Sequence, residues 1–375
     1  MGKLVYLDTQ DYIRLHNQSG PANELDAVNR IASYARCAEI AALYSVYSLA
    51  EFVTKPSEDF VGERRERGKL LKELCGHNSL PYPTDLDHRR GRYGKNLWLS
   101  SELLGRKVRD IFSGIPKAAI SHFRTDTSRV NRAERRRLSS RQGFIEEMKA
   151  QGITWRNFEI DIDRTRFPSA FIERRLIQRL IWGEVNLEYV AKVFVDDLGD
   201  PERYADTTYW SAAVEDRAEL LRMRGSAIAE PFLAFQEKAR ERKEIIARLD
   251  AAKSTLRAEL RKAGYSSQQI KNEIRRYVPT DTVPPVDIGE FLKPLEKLMP
   301  QYRYAHVSHY MRKIVDDAFD VAPNDAGDLY HLIYAYDVDV FRCDSKMWSI
   351  FGDFEPFKGK LYKSAEAALE ALNDA

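Results

Sequence analysis

Cysteine is scarce in this chain. Cys37, Cys75 and Cys343 are the three among 375 residues, far apart and odd in number. Scattered thiols of this kind exclude a disulfide framework and fit a reducing compartment. Long apolar runs are missing too: no stretch of 18 or more apolar residues occurs, so no membrane association is expected. The first residues lack a basic segment followed by an apolar stretch and a small-residue cleavage site, which makes a cytoplasmic location the expectation. Neither G-x-x-x-x-G-K-[ST], G-x-G-x-x-G nor G-x-S-x-G is found, which removes P-loop, dinucleotide-binding and serine-hydrolase readings. Cys75-Gly-His77 with His88 is too sparse for a four-ligand zinc site, and His306-x-x-His309 has no companion pair. No repeat at a fixed period is found.

Charge of one sign does not dominate either, with 59 Lys/Arg against 57 Asp/Glu. The balance hides a division. Residues 1–60 carry a net −3, residues 301–375 a net −5, and the stretch between them +10. Two acidic ends therefore flank a basic middle.

The ends read as α/β. Lys3–Leu7 is an apolar strand, followed by helices over Gln10–His16 and Leu25–Ala38. Ala42–Val46 is a second strand, and Ser48 is the expected N-cap of a helix that carries Glu51 in or just after its first turn. Late in the chain a helix through Tyr304–Phe319 precedes one capped by Asn324 or Asp325 and running to Tyr336. Then come a strand at Val338–Cys343, a short one at Lys360–Lys363 and a helix at Ser364–Leu372. Alternation of this kind predicts a parallel sheet. The middle reads as helical. Apolar residues at Ile245, Leu249, Ala252, Leu256, Leu260 and Ala263 predict a long amphipathic helix, ended by Gly264. Ser266 with Gln269 predicts a capping box, so residues 232–278 read as a helical hairpin.

In open parallel sheets, ligands bind beyond the carboxyl ends of the strands. Asp8 and Asp344 are expected at such ends, Glu51 follows a strand that finishes on the same rim, and Asp325 and Asp328 open a helix three residues apart. Two carboxylates 4 Å apart repel by about 4 kcal/mol at an effective dielectric near 20, so such a gathering either holds protons or needs a cation. Hard oxygen ligands suit Mg²⁺ or Mn²⁺. Phosphodiester hydrolysis is the chemistry they best serve.

LVYLDT, YSLAEF, DLYHLIYA and VFRCDSKMW resemble the four acidic motifs of the PIN-like nuclease superfamily. The resemblance covers about 60 residues at one end and 75 at the other. It implies a three-layer α/β/α sheet domain built from 1–60 and 300–375, with 61–299 a mainly helical, basic insertion. It also implies metal ligation by Asp8, Glu51, Asp328 and Asp344, with Asp325 a competitor for the third role, and hydrolysis of RNA in preference to DNA. Toxin or defence-type activity and an inhibitory protein partner belong to many members. Two features depart from the pattern: Arg342 stands where the family has Thr or Ser two before the last Asp, and the Glu51-to-Asp328 interval is far longer than in a compact member.

Around that core, Thr9 is expected to contact a bound water or phosphate or simply to cap its helix, and His331 to orient Asp328 or pack in the core. Asp11 reads as a first-turn helix charge. The cluster Arg129, Arg132, Arg135, Arg136 and Arg137, in a basic middle, reads as nucleic-acid-binding or as a solvated face, and Trp155 as a base-stacking or core aromatic. The stripe on the 245–263 helix raises a homodimer or partner surface. Two rival readings are a catalytically silent PIN-like scaffold and a phosphatase-type hydrolase with Asp8 as nucleophile; Gln10, at the second position of D-x-D, opposes the latter.

Overall fold

The structure is a computed structural model. It describes residues 2–53, 60–82, 85–86, 91–95, 97–99, 108–124, 131–138, 140–160, 167–205, 207–278, 283, 286–287, 304–317, 321–322 and 325–374.

The N-terminal elements follow the sequence pattern closely. Strand β1 (Leu4–Tyr6) runs into α1 (Thr9–Asn17), because the Asp8 side chain accepts from the Gln10 amide at 2.8 Å and caps the helix. Gln18, in the left-handed region at φ 48°, closes it. Then come α2 (Ala22–Arg36), β2 (Ala41–Leu43) and α3 (Val46–Phe52). Helix α3 corrects one expectation. Ser45, not Ser48, is its N-cap, and Ser48 returns the bond to the Ser45 amide, completing a capping box. The start lies earlier because Ser45 is fixed from across the sheet, its hydroxyl 2.8 Å from that of Tyr6. Glu51 consequently lies in the last turn of α3 rather than near its start.

The C-terminal elements are α14 (Tyr304–Asp317), α15 (Asp325–Leu332) with a 3₁₀ turn over Ile333–Tyr336, β3 (Val340–Arg342), α16 (Ser345–Phe351), β4 (Leu361–Tyr362) and α17 (Ala365–Asn373); Asn324 lies outside the described residues. The four strands form one parallel sheet in the order β2-β1-β3-β4. Every strand of it comes from one chain end or the other. Tyr6 pairs in register with Phe341, and their rings stack at 4.8 Å with an 8° tilt, with Tyr334 stacked on Tyr6 at 5.9 Å. Val5, Tyr6, Leu43, Val340 and Phe341 are buried. Helix α17 packs on α2 and β3, its N-terminal amide at Ala365 donating to Glu24 at 3.1 Å.

The expected insertion supplies α4 (Val61–Cys75), α5 (Val108–Arg124), α6 (Arg132–Leu138), α7 (Arg141–Ala150), α8 (Ser169–Glu173), α9 (Leu176–Trp182), α10 (Leu187–Leu198), α11 (Pro201–Tyr204), α12 (Thr208–Lys262) and α13 (Ser267–Tyr277). It is not set apart from the sheet as the 61–299 boundaries suggest. The chain divides into one unit of residues 1–220, 334–345 and 360–375, and a second of 221–333 and 346–359. Helix α4 packs on α2 and β2, and α11 lies along α4. An aromatic core of Phe112, Phe167, Phe171 and Phe194 holds α5, α8 and α10 together within the first unit. In the second unit His306, Tyr310, Phe351 and Phe357 cluster, and His306 and His309 bond the carbonyls of Leu329 and Ile350. The three cysteines are thiols. Among the described residues no helix is long and apolar enough to cross a membrane.

Candidate functional site

In the order β2-β1-β3-β4 the chain leaves β1 toward β2 and returns on the other side of β1 as β3. That makes the gap beyond the carboxyl ends of β1 and β3 the switch point of the sheet, the place where parallel sheets bind ligands. Asp8 stands two residues past the end of β1 and Asp344 two past the end of β3. With Tyr6 opposite Phe341, extending both strands aligns Asp8 with Cys343, one residue from Asp344. Asp8 is half-buried and Asp344 exposed. Glu51 joins the rim from α3: Thr9 donates its hydroxyl to Glu51 Oε2 at 2.6 Å. Thr9 thus holds Glu51 beside the Asp8 turn, a role between the water contact and the plain cap that the sequence suggested.

Beneath the rim lie two residues whose roles sequence reasoning missed. Asp11 is not a solvated first-turn charge but fully buried. Arg14 Nη1 donates to its Oδ1 at 2.8 Å, and Arg342 Nε lies 3.5 Å from its Oδ2. Burial pushes Asp11 up to about 6; Arg342 and Arg14 pull it down while the Asp8 charge pushes it further up. Asp11 Oδ2 and Arg342 Nε make no hydrogen bond of their own. Arg342 also donates to the Cys343 carbonyl, immediately before Asp344. The departure from Thr or Ser at 342 therefore places a buried cation between the β1 and β3 turns. One signal was in the sequence, Arg342 two before the last Asp; Asp11, the third residue of α1, gave none.

Asp325, Asp328 and His331 belong to the second unit. Asp325 is buried and saturated. It accepts from Lys346 Nζ at 2.7 and 2.6 Å, from the Tyr310 hydroxyl at 2.5 Å and from the Ala322 amide at 2.8 Å. Such a carboxylate is a structural ion pair, matched by a lysine within its own unit. Asp328 is half-buried one turn on, and its charge reaches Tyr310. Burial first, then the bond to Asp325, pushes the Tyr310 hydroxyl upward. His331 is half-buried on the same helix.

Of the arginine cluster, Arg129 lies outside the described residues, and Arg135 lies in α6 with its side chain not among those described. Arg132, Arg136 and Arg137 are exposed, Arg137 pairing with Glu147 at 3.2 Å. Trp155 is half-buried, with the guanidinium groups of Arg156 and Arg179 at 5.3 and 5.7 Å from its ring.

Within neither unit do three or more described His, Cys, Asp or Glu side chains gather as a metal-holding group. The donor set at the switch point is nevertheless of hard carboxylate oxygens, and Mg²⁺ is commonly held by one or two carboxylates with water completing its shell. No protein-family model, curated protein or solved structure matches the chain.

Proposed function

We propose that the chain is a PIN-like, divalent-metal-dependent nuclease acting on RNA in preference to DNA. The observation that carries the reading is that β1 and β3, paired neighbours at the switch point of a parallel sheet, are each followed two residues on by an aspartate, Asp8 and Asp344. Asp8, Glu51 and Asp344 would hold Mg²⁺ or Mn²⁺, all three belonging to the first unit. When bound, the ion lowers the pKa of a water and stabilises negative charge on a phosphate oxygen. Thr9 orients Glu51 through its hydroxyl. The Asp8 side chain, tied by Oδ1 to the Gln10 amide, keeps a fixed direction at the end of β1. Arg342, braced against Asp11, offsets part of the rim's negative charge and holds the Cys343 carbonyl ahead of Asp344.

The test is thermal melting after EDTA treatment, followed by a Mn²⁺ titration, on the wild type and on Asp8→Asn and Asp344→Asn, beside cleavage of a labelled RNA. A ligand that binds the folded state raises the melting temperature saturably. The wild type is expected to show that rise and to cleave. Asp8→Asn and Asp344→Asn are expected to lose both. A wild type indifferent to Mn²⁺ and inert toward RNA overturns the reading. The Asp325–Lys346 pair, a carboxylate neutralised within the fold, favours a second reading: a silent scaffold that binds RNA without cutting it.

A further inference from the structure

From Arg240 to Gln269 not one residue is buried. This stretch is the distal part of α12, the turn at Gly264 (φ 83°) and the start of α13. The helical portion, Arg240 to Lys262, is about 35 Å long at 1.5 Å per residue. The turn is built to hold. Ser266 accepts from the Gln269 amide at 3.4 Å and the Gln269 side chain accepts from the Ser266 amide at 2.9 Å, while Ile270 and Ile274 bury one face of α13.

The charge on this hairpin is one-sided. Between Lys253 and Arg276 seven Lys/Arg stand against two carboxylates, Glu259 and Glu273. Lys253 pairs with Asp250 at 3.3 Å. Arg257, Arg261, Lys262, Lys271 and Arg275 have no carboxylate in ion-pair reach among the described residues. Lys253, Arg257 and Arg261 recur every fourth residue, one face of a helix with cations about 6 Å apart along it. Lys271 and Arg275 repeat the spacing on α13. Two aromatics are exposed beside them: Tyr265 at the turn, 45 % exposed, and Tyr277 at 63 %, with Arg276 over its ring at 5.6 Å.

Taking the nuclease reading above as its basis, we propose that the α12–α13 hairpin is a second nucleic-acid contact, apart from the Arg132–Arg137 helix, that takes a single strand. Arg257 with Arg261, and Lys271 with Arg275, each four residues apart, meet successive phosphates, and exposed tyrosines offer a stacking face that a duplex, its bases paired, does not use. An acidic protein partner meets the cations alone and has no use for Tyr265.

Fluorescence anisotropy with a labelled 20-nucleotide mixed-sequence RNA, over a salt series in EDTA, tests this. The protein is the full chain carrying Asp344→Asn, which blocks cleavage, with and without Arg257→Gln, Arg261→Gln and Arg275→Gln. Removing three phosphate contacts is expected to flatten the slope of log affinity against log salt by about 2, and to weaken binding by about tenfold or more at low salt. Tyr265→Ala is expected to weaken binding with the slope unchanged. These exposed substitutions are expected to leave the melting temperature in place. Unchanged affinity and slope in the triple variant overturn the proposal, as does a preference for blunt duplex or equal competition by polyglutamate. Tight single-strand binding through the hairpin in a protein that never cleaves RNA supports the hairpin and overturns the nuclease reading.

Discussion

At the scale of single residues, the rim depends on two side chains that ligate nothing. Asp11 is the first. Its folded pKa, about 6, lies above the ordinary aspartate value of 3.8, so folding takes up a proton between those values. The stabilising neutral form is fully in force below pH 4, and its contribution is lost as pH rises through 6, at roughly 1.4 kcal/mol per unit. Urea unfolding from pH 4 to 7 is expected to show that falling component in the wild type and to lack it in Asp11→Asn; identical profiles would place the charge of Asp11 in solvent. Thr9 is the second. Thr9→Val removes the bond to Glu51 and is expected to raise the Mn²⁺ concentration for half-maximal activity several-fold, while Thr9→Ser restores it. If valine and serine behave alike, the hydroxyl has no part in placing Glu51.

At the scale of elements, close backbone approach decides what periodicity cannot. Gly62 and Gly68 both lie in α4, about 120° apart around its axis. A Cβ on Gly62 meets nothing within 4 Å, whereas one on Gly68 falls 2.5 Å from the Pro201 carbonyl oxygen of α11. Gly62→Ala is therefore expected to stabilise by about 0.5–1 kcal/mol through helix propensity alone. Gly68→Ala gains the same term but must push α4 from α11 and strain the Lys72 pairs with Asp200 and Glu202, for a net loss of about 1–3 kcal/mol. Denaturation midpoints with the same sign for both would remove the tight α4–α11 contact. Such contacts explain what was legible in the sequence. The four strands and the cap at Ser266 were readable because each is set by neighbours within four residues. The start of α3 was not, since a tyrosine 39 residues away fixes Ser45. Nor was the burial of Asp11, which depends on Arg342, nor the neutralisation of Asp325 by Lys346. The joining of α4 to α11 with the sheet was hidden because Gly68 carries no side-chain pattern to read.

At the scale of the whole chain, the sheet joins residues more than 330 apart, β1 lying between β2 and β3. Closing so long a loop is entropically costly, and the cost is recovered once the strands pair and stack. The two chain ends should thus open together rather than one after the other. Phe341→Ala, which removes the ring stacked on Tyr6, is expected to cost about 3–5 kcal/mol. Hydrogen exchange should report that loss equally at the Phe341 amide, bonded to Lys360, and at the Ala41 amide, bonded to Lys3, though the two sit at opposite ends of the sequence. Leu256→Ala, in the exposed hairpin of the second unit, should leave both amides protected as before. If Phe341→Ala speeds exchange at Phe341 while Ala41 keeps its protection, β1 and β2 are stable without β3. The rim carrying Asp8 and Glu51 would then form independently of Asp344, and the switch-point geometry would not be a single cooperative site.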